Sequence, residues 1–192
     1  RRSVNRLKRF LITISLLVGS ITVLTGCKSV LEKEKEEPID VLVSYAGSLV
    51  GDASSVVNIG YILPGGEDVK QVELRTDEQP YEINIVYGLK EESEREEEAF
   101  ENDWSDMNTK RAFLYNAIAY FALVDNVDQV TFQTETDTPH SLTVTRADIE
   151  QFLGKDVRQY ATDAEIWKTD VEEGIMLSDD KIEEFYAAYP LL

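Results

Sequence analysis

Apolar positions along the second two thirds of the chain switch between a period of about three and a half and a period of two, and the switches outline the elements. Val56, Ile59 and Leu63 recur at helical spacing, with Asp52 where an N-cap belongs and Pro64-Gly65-Gly66 as a stop, so a short helix is expected from Asp52 to Leu63. Alternation follows: Val72 and Leu74 within Val69 to Thr76, then Tyr81, Ile83, Ile85 and Tyr87, with a turn at Asp77 to Pro80 that makes a hairpin. Met107 to Val124 returns to helical spacing. It carries Leu114, Ala117, Ile118, Phe121 and Val124 on one face and Phe113, Tyr120 and Leu123 on others, so it is apolar nearly all round and is expected to be the central, buried helix. A second strand pair, Gln129 to Glu135 and Ser141 to Thr145, turns at Asp137 to His140. A short helix from Arg146 to Leu153 is capped by Thr145 with Asp148 three residues on and ended by Gly154, and Ser178 opens a last amphipathic helix with Ile182, Phe185, Tyr186 and Tyr189.

This order predicts an α+β domain: an antiparallel sheet of about four strands, made of two hairpins, with helices packed on one face. The two hairpins look alike. Arg75 to Tyr81 and on to Ile85 echoes Gln133 to His140 and on to Val144, and each pair precedes a helix. An old duplication of a ββα unit and independent origin of similar turns are both compatible with that echo.

The start of the chain has a different pattern. Arg1, Arg2, Arg6, Lys8 and Arg9 precede any acid, and Phe10 to Leu24 is then almost wholly apolar. Such a run is shorter than the roughly 20 residues of a spanning helix and reads as a signal peptide over residues 1–26. The chain does not begin with methionine, and the gene product is expected to start a few residues upstream. Leu24-Thr25-Gly26-Cys27 ends the run at the chain's single cysteine and resembles the bacterial lipobox. The resemblance implies recognition of Leu24, Thr25 and Gly26 by a signal peptidase, a diacylglyceryl group on Cys27, and anchoring to the extracytoplasmic face of the cell membrane, for which two acyl chains suffice. Lys28 to Pro38 is polar, charged and closed by proline, so residues 27–38 are expected to form a solvated tether and residues 39–192 a single domain.

Charge and composition then narrow the chemistry. Thirty-seven acids against 19 bases give a formal charge of −18, a field that repels phosphate backbones and argues against nucleic acid as a partner. Removing residues 1–26 takes five of the bases and no acid, so the exported part is more acidic still. One cysteine and one histidine leave no internal disulfide, thiolate zinc cluster or multi-histidine metal site, and no metal or cofactor is expected besides the lipid on Cys27.

Three further stretches act together: Tyr45 to Asp52 with Ser54, Val56, Asn58 and Ile59; Leu74 to Tyr81; and Phe121 to Phe132, which includes Asp125-Asn126-Val127-Asp128. In this order and spacing they resemble a domain-of-unknown-function family of Gram-positive lipoproteins, also found attached to membrane-bound sensor metallopeptidases of the beta-lactam-sensor type. The likeness spans about residues 39–135. It departs from the family pattern at Ala53, where a polar residue is expected, and at Val57, where glycine is expected. What it implies is a location and a sensing or binding role; it brings no catalytic residues.

No motif for catalysis stands out. There is no G-x-S-x-G elbow, no G-x-G-x-x-G and no P-loop, and His140 sits beside Pro139 in a turn, where a solvated side chain is expected. Nine acids fall between Glu91 and Asp106 with only Arg95 to balance them, but without the alternating ligands and central glycine of a calcium loop the run reads as solvated. Asp125 sits against the dipole of the helix that ends at Val124, a local conflict of the kind found at functional sites. The structural account is that Asp125 accepts hydrogen bonds from the following turn while Asn126 takes a left-handed cap. Asp52, Asn58, Asp125 and Asn126 form the candidate functional surface. The tyrosines and tryptophans are read mainly as core and rim packing. The expectation is a non-enzymatic cell-surface lipoprotein that binds or senses an envelope protein or cell-wall ligand; an envelope hydrolase using paired carboxylates on peptidoglycan is the alternative.

Overall fold

The computed structural model describes residues 38–192. The expected signal peptide over residues 1–26, the Leu24 to Cys27 motif and the expected tether up to Glu37 lie outside the described residues. The domain opens with helices α1 (Pro38–Val43) and α2 (Ala53–Ile62) and the strands β1 (Val69–Arg75) and β2 (Glu82–Tyr87). Helices α3 (Glu97–Asp103) and α4 (Asp106–Leu123) lead to β3 (Gln129–Thr134), β4 (Ser141–Thr145) and α5 (Arg146–Leu153). A 3-10 segment, Val157–Thr162, precedes α6 (Ala164–Ile166), which runs into a π-helix, Trp167–Met176, before α7 (Asp179–Ala188). No helix among the described residues is long and apolar enough to cross a membrane.

The caps fall where the sequence places them. Asp52 accepts from the backbone and hydroxyl of Ser55, Thr145 and Asp148 close a reciprocal capping box, Gly154 ends α5 in the left-handed region, and Ser178 caps α7. The acidic run is less uniform than its composition suggests. It contains α3, and Phe100 and Trp104 are buried within it.

The fold is α+β with a four-stranded sheet in the order β1-β2-β3-β4. The two expected hairpins form, but the sheet is not wholly antiparallel: β2 and β3 run parallel, from Glu82 beside Gln129 to Tyr87 beside Thr134. The 41 residues from Gly88 to Asp128 carry the chain over α3 and α4 and return it in its original direction, which a helical crossover allows and a tight turn does not. With β2 and β3 central and parallel, the partners β1 and β4 lie on opposite sides. The two hairpins therefore have opposite hands when viewed from their buried faces. A duplicated ββα unit would keep one hand, so the topology speaks for independent turns.

Alternation divides the sheet cleanly. Val72, Leu74, Ile83, Ile85, Val130, Phe132, Leu142 and Val144 share one face, while Gln71, Glu73, Asn84, Val86, Thr131, Gln133 and Thr143 share the other. Helix α4 lies on the first face. Phe113 stacks on Phe132 at 5.3 Å between ring centroids and on Tyr87 at 6.0 Å, and Tyr120 reaches Phe132 at 6.3 Å. From Ala117 to Leu123 every residue of α4 is buried, as its apolar circumference predicts. The hydroxyl of Tyr120 donates to Val56 O at 3.1 Å and ties α4 to α2.

Candidate functional site

Two arrangements emerge, one structural and one a cavity. The first is the end of α4. Helix α4 ends without a left-handed residue: Val124 is extended, and no residue other than glycine has positive φ among those described. The expected left-handed cap at Asn126 is thus replaced by another device. Arg146, the first residue of α5, sends its guanidinium back to the helix end, with Nη1 donating to Phe121 O at 2.5 Å and Nη2 to Val124 O at 2.8 Å and Val127 O at 3.2 Å. A cation on the terminal carbonyls offsets the helix dipole that Asp125 opposes. The Asp125 carboxylate itself is exposed and lies 3.8 Å from Arg158 Nε.

The same segment joins three distant parts of the chain. Asn126 Oδ1 accepts from Val50 N at 2.8 Å, and Asp125 N donates to Ser48 O at 2.9 Å. Asp128 Oδ2 accepts from Tyr81 N at 2.8 Å while Asp128 N donates to Tyr81 O at 2.9 Å. Asp128 thereby sets the starts of β2 and β3 side by side, which fixes the parallel pair in register. Of the expected surface, Asp125 and Asn126 meet the Ser48 to Val50 loop as structural fasteners. Asp52 caps its own helix, and Asn58 is exposed. None of the four lines the cavity described next.

That cavity, of about 400 Å³, lies between the loop after α2, the α3–α4 corner and the π-helix. Pro64, Gly65, Trp104, Ala112, Tyr115 and Met176 give it an apolar and aromatic lining. Gly65 has φ +81, and a Cβ there would meet the Trp104 ring at 2.5 Å, so the indole closes directly over the backbone. Below the indole, Asp68 is only 5% exposed. Its two oxygens each lie 2.5 Å from Arg95 Nη1, and Trp104 Nε1 donates to Oδ2 at 2.8 Å. Arg95 also pairs with Asp103 and lies 3.4 Å from Glu67, and the adjoining Asp68 raises the pKa of the guanidinium. Arg111 donates from Nε to Met176 O at 3.1 Å and pairs with Asp179. On the opposite wall Trp167 Nε1 donates to the Tyr115 hydroxyl at 3.0 Å, and that hydroxyl donates to Glu172 Oε1 at 3.1 Å. Burial, then the charge of Glu172, pushes the Tyr115 phenol well above its ordinary value.

Sequence reasoning did not single out Asp68, Arg111, Tyr115, Glu172 or Met176. A signal existed for one partner: Arg95 is the lone base among nine acids, and a lone base in such a run has a reason to be held. For Glu172 and Met176 there was none, because the π-helix winds at a period that the usual templates do not test. His140 also departs from expectation. Its side chain is 17% exposed rather than solvated, with Nε2 3.8 Å from Asp106 Oδ1 and Nδ1 buried without a hydrogen-bond partner. Lys110 bridges Asp106 and Glu183 beside it, at 3.0 Å from each, and both acids raise the ammonium pKa.

No curated protein and no solved structure matches the chain. Residues 42–145 match the family described as "Domain of unknown function (DUF4825)". That span covers more than half of the chain and includes α2, all four strands, α4 and the Asp125 to Asp128 fasteners. The π-helix and α7, which supply Glu172, Met176 and Asp179, lie beyond it. The chain belongs to the DUF4825 family.

Proposed function

We propose that this protein is a lipid-anchored lipoprotein, held by a diacylglyceryl group on Cys27 at the extracytoplasmic face of the cell membrane, whose domain binds a ligand without transforming it. On this reading the helices lie over the buried face of the sheet, and the ligand enters the cleft walled by Gly65, Trp104, Tyr115 and Met176. The observation that carries the reading is the cleft itself: about 400 Å³ with an apolar lining and a few placed polar groups is the usual form of a small-molecule site. The basic, apolar, cysteine-terminated leader supports the location, and the likeness to domains carried by sensor metallopeptidases supports a sensing role.

The hydrolase reading has less behind it. A glycosidase needs two acids facing one cleft, one to protonate and one to stay ionised. Here Asp68 gives both oxygens to Arg95 and a further bond to Trp104, and Asp103 is paired with the same guanidinium. Glu172 is left without a second uncommitted acid deep in the cleft.

The test uses the full chain in detergent, with nuclear magnetic resonance signals of the Trp104 indole and the Met176 methyl as reporters. Small-molecule extracts of the cell envelope are expected to shift both, and Ala112→Phe, which fills the cleft, is expected to abolish the shifts. Unmoved signals together with cleavage of peptidoglycan fragments would favour the hydrolase. Cys27→Ala is expected to release the protein from the membrane fraction.

A further inference from the structure

We propose that the cleft is an organic-cation site: it takes an alkylammonium group, with the Glu172 carboxylate as counter-ion and Trp104, Tyr115 and Met176 around the aliphatic stem. The proposal rests on the reading of the cleft as a binding site and adds the class of ligand.

Charge pairing within the lining makes the case. Six charged residues line the cleft, four acids and two bases. Both bases are already satisfied: Arg95 by Asp68 and Asp103, with Glu67 at 3.4 Å, and Arg111 by Asp179 and the Met176 carbonyl. Neither guanidinium has charge to spare for an anion. Glu172 is the opposite case. Among the described residues no Lys, Arg or His lies within 4.0 Å of it, and its one hydrogen bond comes from a neutral phenol. A half-buried carboxylate with no cation keeps an unmet electrostatic demand, which a ligand cation would satisfy.

The surroundings position that carboxylate and select what accompanies the charge. The indole N–H of Trp167, a fully buried residue, is donated to the Tyr115 oxygen, which leaves the phenolic proton directed at Glu172. The carboxylate is thus oriented before any ligand arrives. Around it, aromatic faces and a thioether are the groups that attract ammonium ions and bury methylene stems. The formal charge of −18 draws cations toward the domain and repels anions at long range. A volume of about 400 Å³ accommodates a small molecule.

The experiment titrates the full chain with n-butylammonium, with its neutral isostere 1-butanol, and with pentanoate. The Trp104 indole and Met176 methyl signals report occupancy. n-Butylammonium is expected to shift both, with 1-butanol weaker by about tenfold or more, pentanoate weaker still, and Glu172→Gln lowering ammonium affinity by about tenfold while keeping the bond from Tyr115. Equal or tighter binding of the alcohol or the carboxylate in the wild-type protein overturns the cation assignment and leaves the cleft a binding site. Unchanged ammonium affinity in folded Glu172→Gln overturns it as well. If no probe moves either signal and envelope extracts also leave them unmoved, the reading of the cleft falls with it. The comparison of the three probes needs no variant, so a misfolded Glu172→Gln leaves the proposal open to refutation.

Discussion

Arg146 donates to several backbone carbonyls from one guanidinium and packs its charge 5.4 Å from the Phe121 ring centroid. Burial, more than the neighbouring Arg158, lowers its pKa, a sign that the group is taken partly out of water to do this. Arg146→Met keeps the stem and removes the donors, stranding the last carbonyls of α4, and is expected to cost roughly 2–3 kcal/mol. Arg146→Lys is expected to restore only part of that, because one ammonium cannot reproduce a planar fork. Urea denaturation midpoints at constant slope measure both. Asp125→Asn, by contrast, removes one member of an exposed pair at 3.8 Å and is expected to change stability by less than about 1 kcal/mol. Loss of ligand binding in folded Asp125→Asn would move the functional site from the cleft to this helix end.

At the scale of elements, α4 is the piece on which the others depend. Phe121 is fully buried, and Phe121→Ala is expected to cost about 3–5 kcal/mol, the penalty for emptying a buried phenyl site. A near-neutral result in equilibrium unfolding would show that α4 is not packed as described. The helix was legible because nearly every position from Ala112 to Leu123 is apolar, which leaves that stretch no solvent face to choose. The pairing of strands was legible only in part. Each hairpin's alternation and turn define its own register, yet neither specifies which strands of the two hairpins meet. That is decided by the crossover through α4 and by Asp128 holding the start of β3 to Tyr81, a hydrogen bond between residues 47 apart.

Across the whole molecule, burial of tyrosine gives a prediction in pH. Tyr87, Tyr115, Tyr120 and Tyr186 all have pKa values raised by burial above the ordinary 10.0. In the unfolded chain these phenols release their protons near pH 10, whereas the folded chain holds them. The stability they contribute is therefore present in full below that pH and lost as pH rises through the higher folded values, since the unfolded state then binds fewer protons. Melting temperature is expected to fall on the alkaline side, with phenolate absorbance of these four appearing together with unfolding rather than before it. Four normal phenolic titrations in the folded protein would contradict the described core.

The sequence by itself determined α2, the four strands, α4, α5 and α7, with the caps of α2, α5 and α7, but not α3 or the segments between α5 and α7. Asp52, Thr145 with Asp148, Gly154 and Ser178 act on backbone groups within a few residues, so their effect can be read locally. It also determined which face of each strand is buried, because a period of two is a property of the strand alone. Tertiary structure alone decided the parallel central pair, the opposite hands of the hairpins, the role of Arg146 and the cleft. Arg111 meets Asp179, Tyr115 meets Glu172 and Arg95 meets Asp68 across 68, 57 and 27 residues, and such contacts exist only once packing has brought distant segments together. An ion pair's value to function lies in which charges it cancels and which it leaves over, and that balance belongs to the assembled cleft rather than to any stretch of the chain.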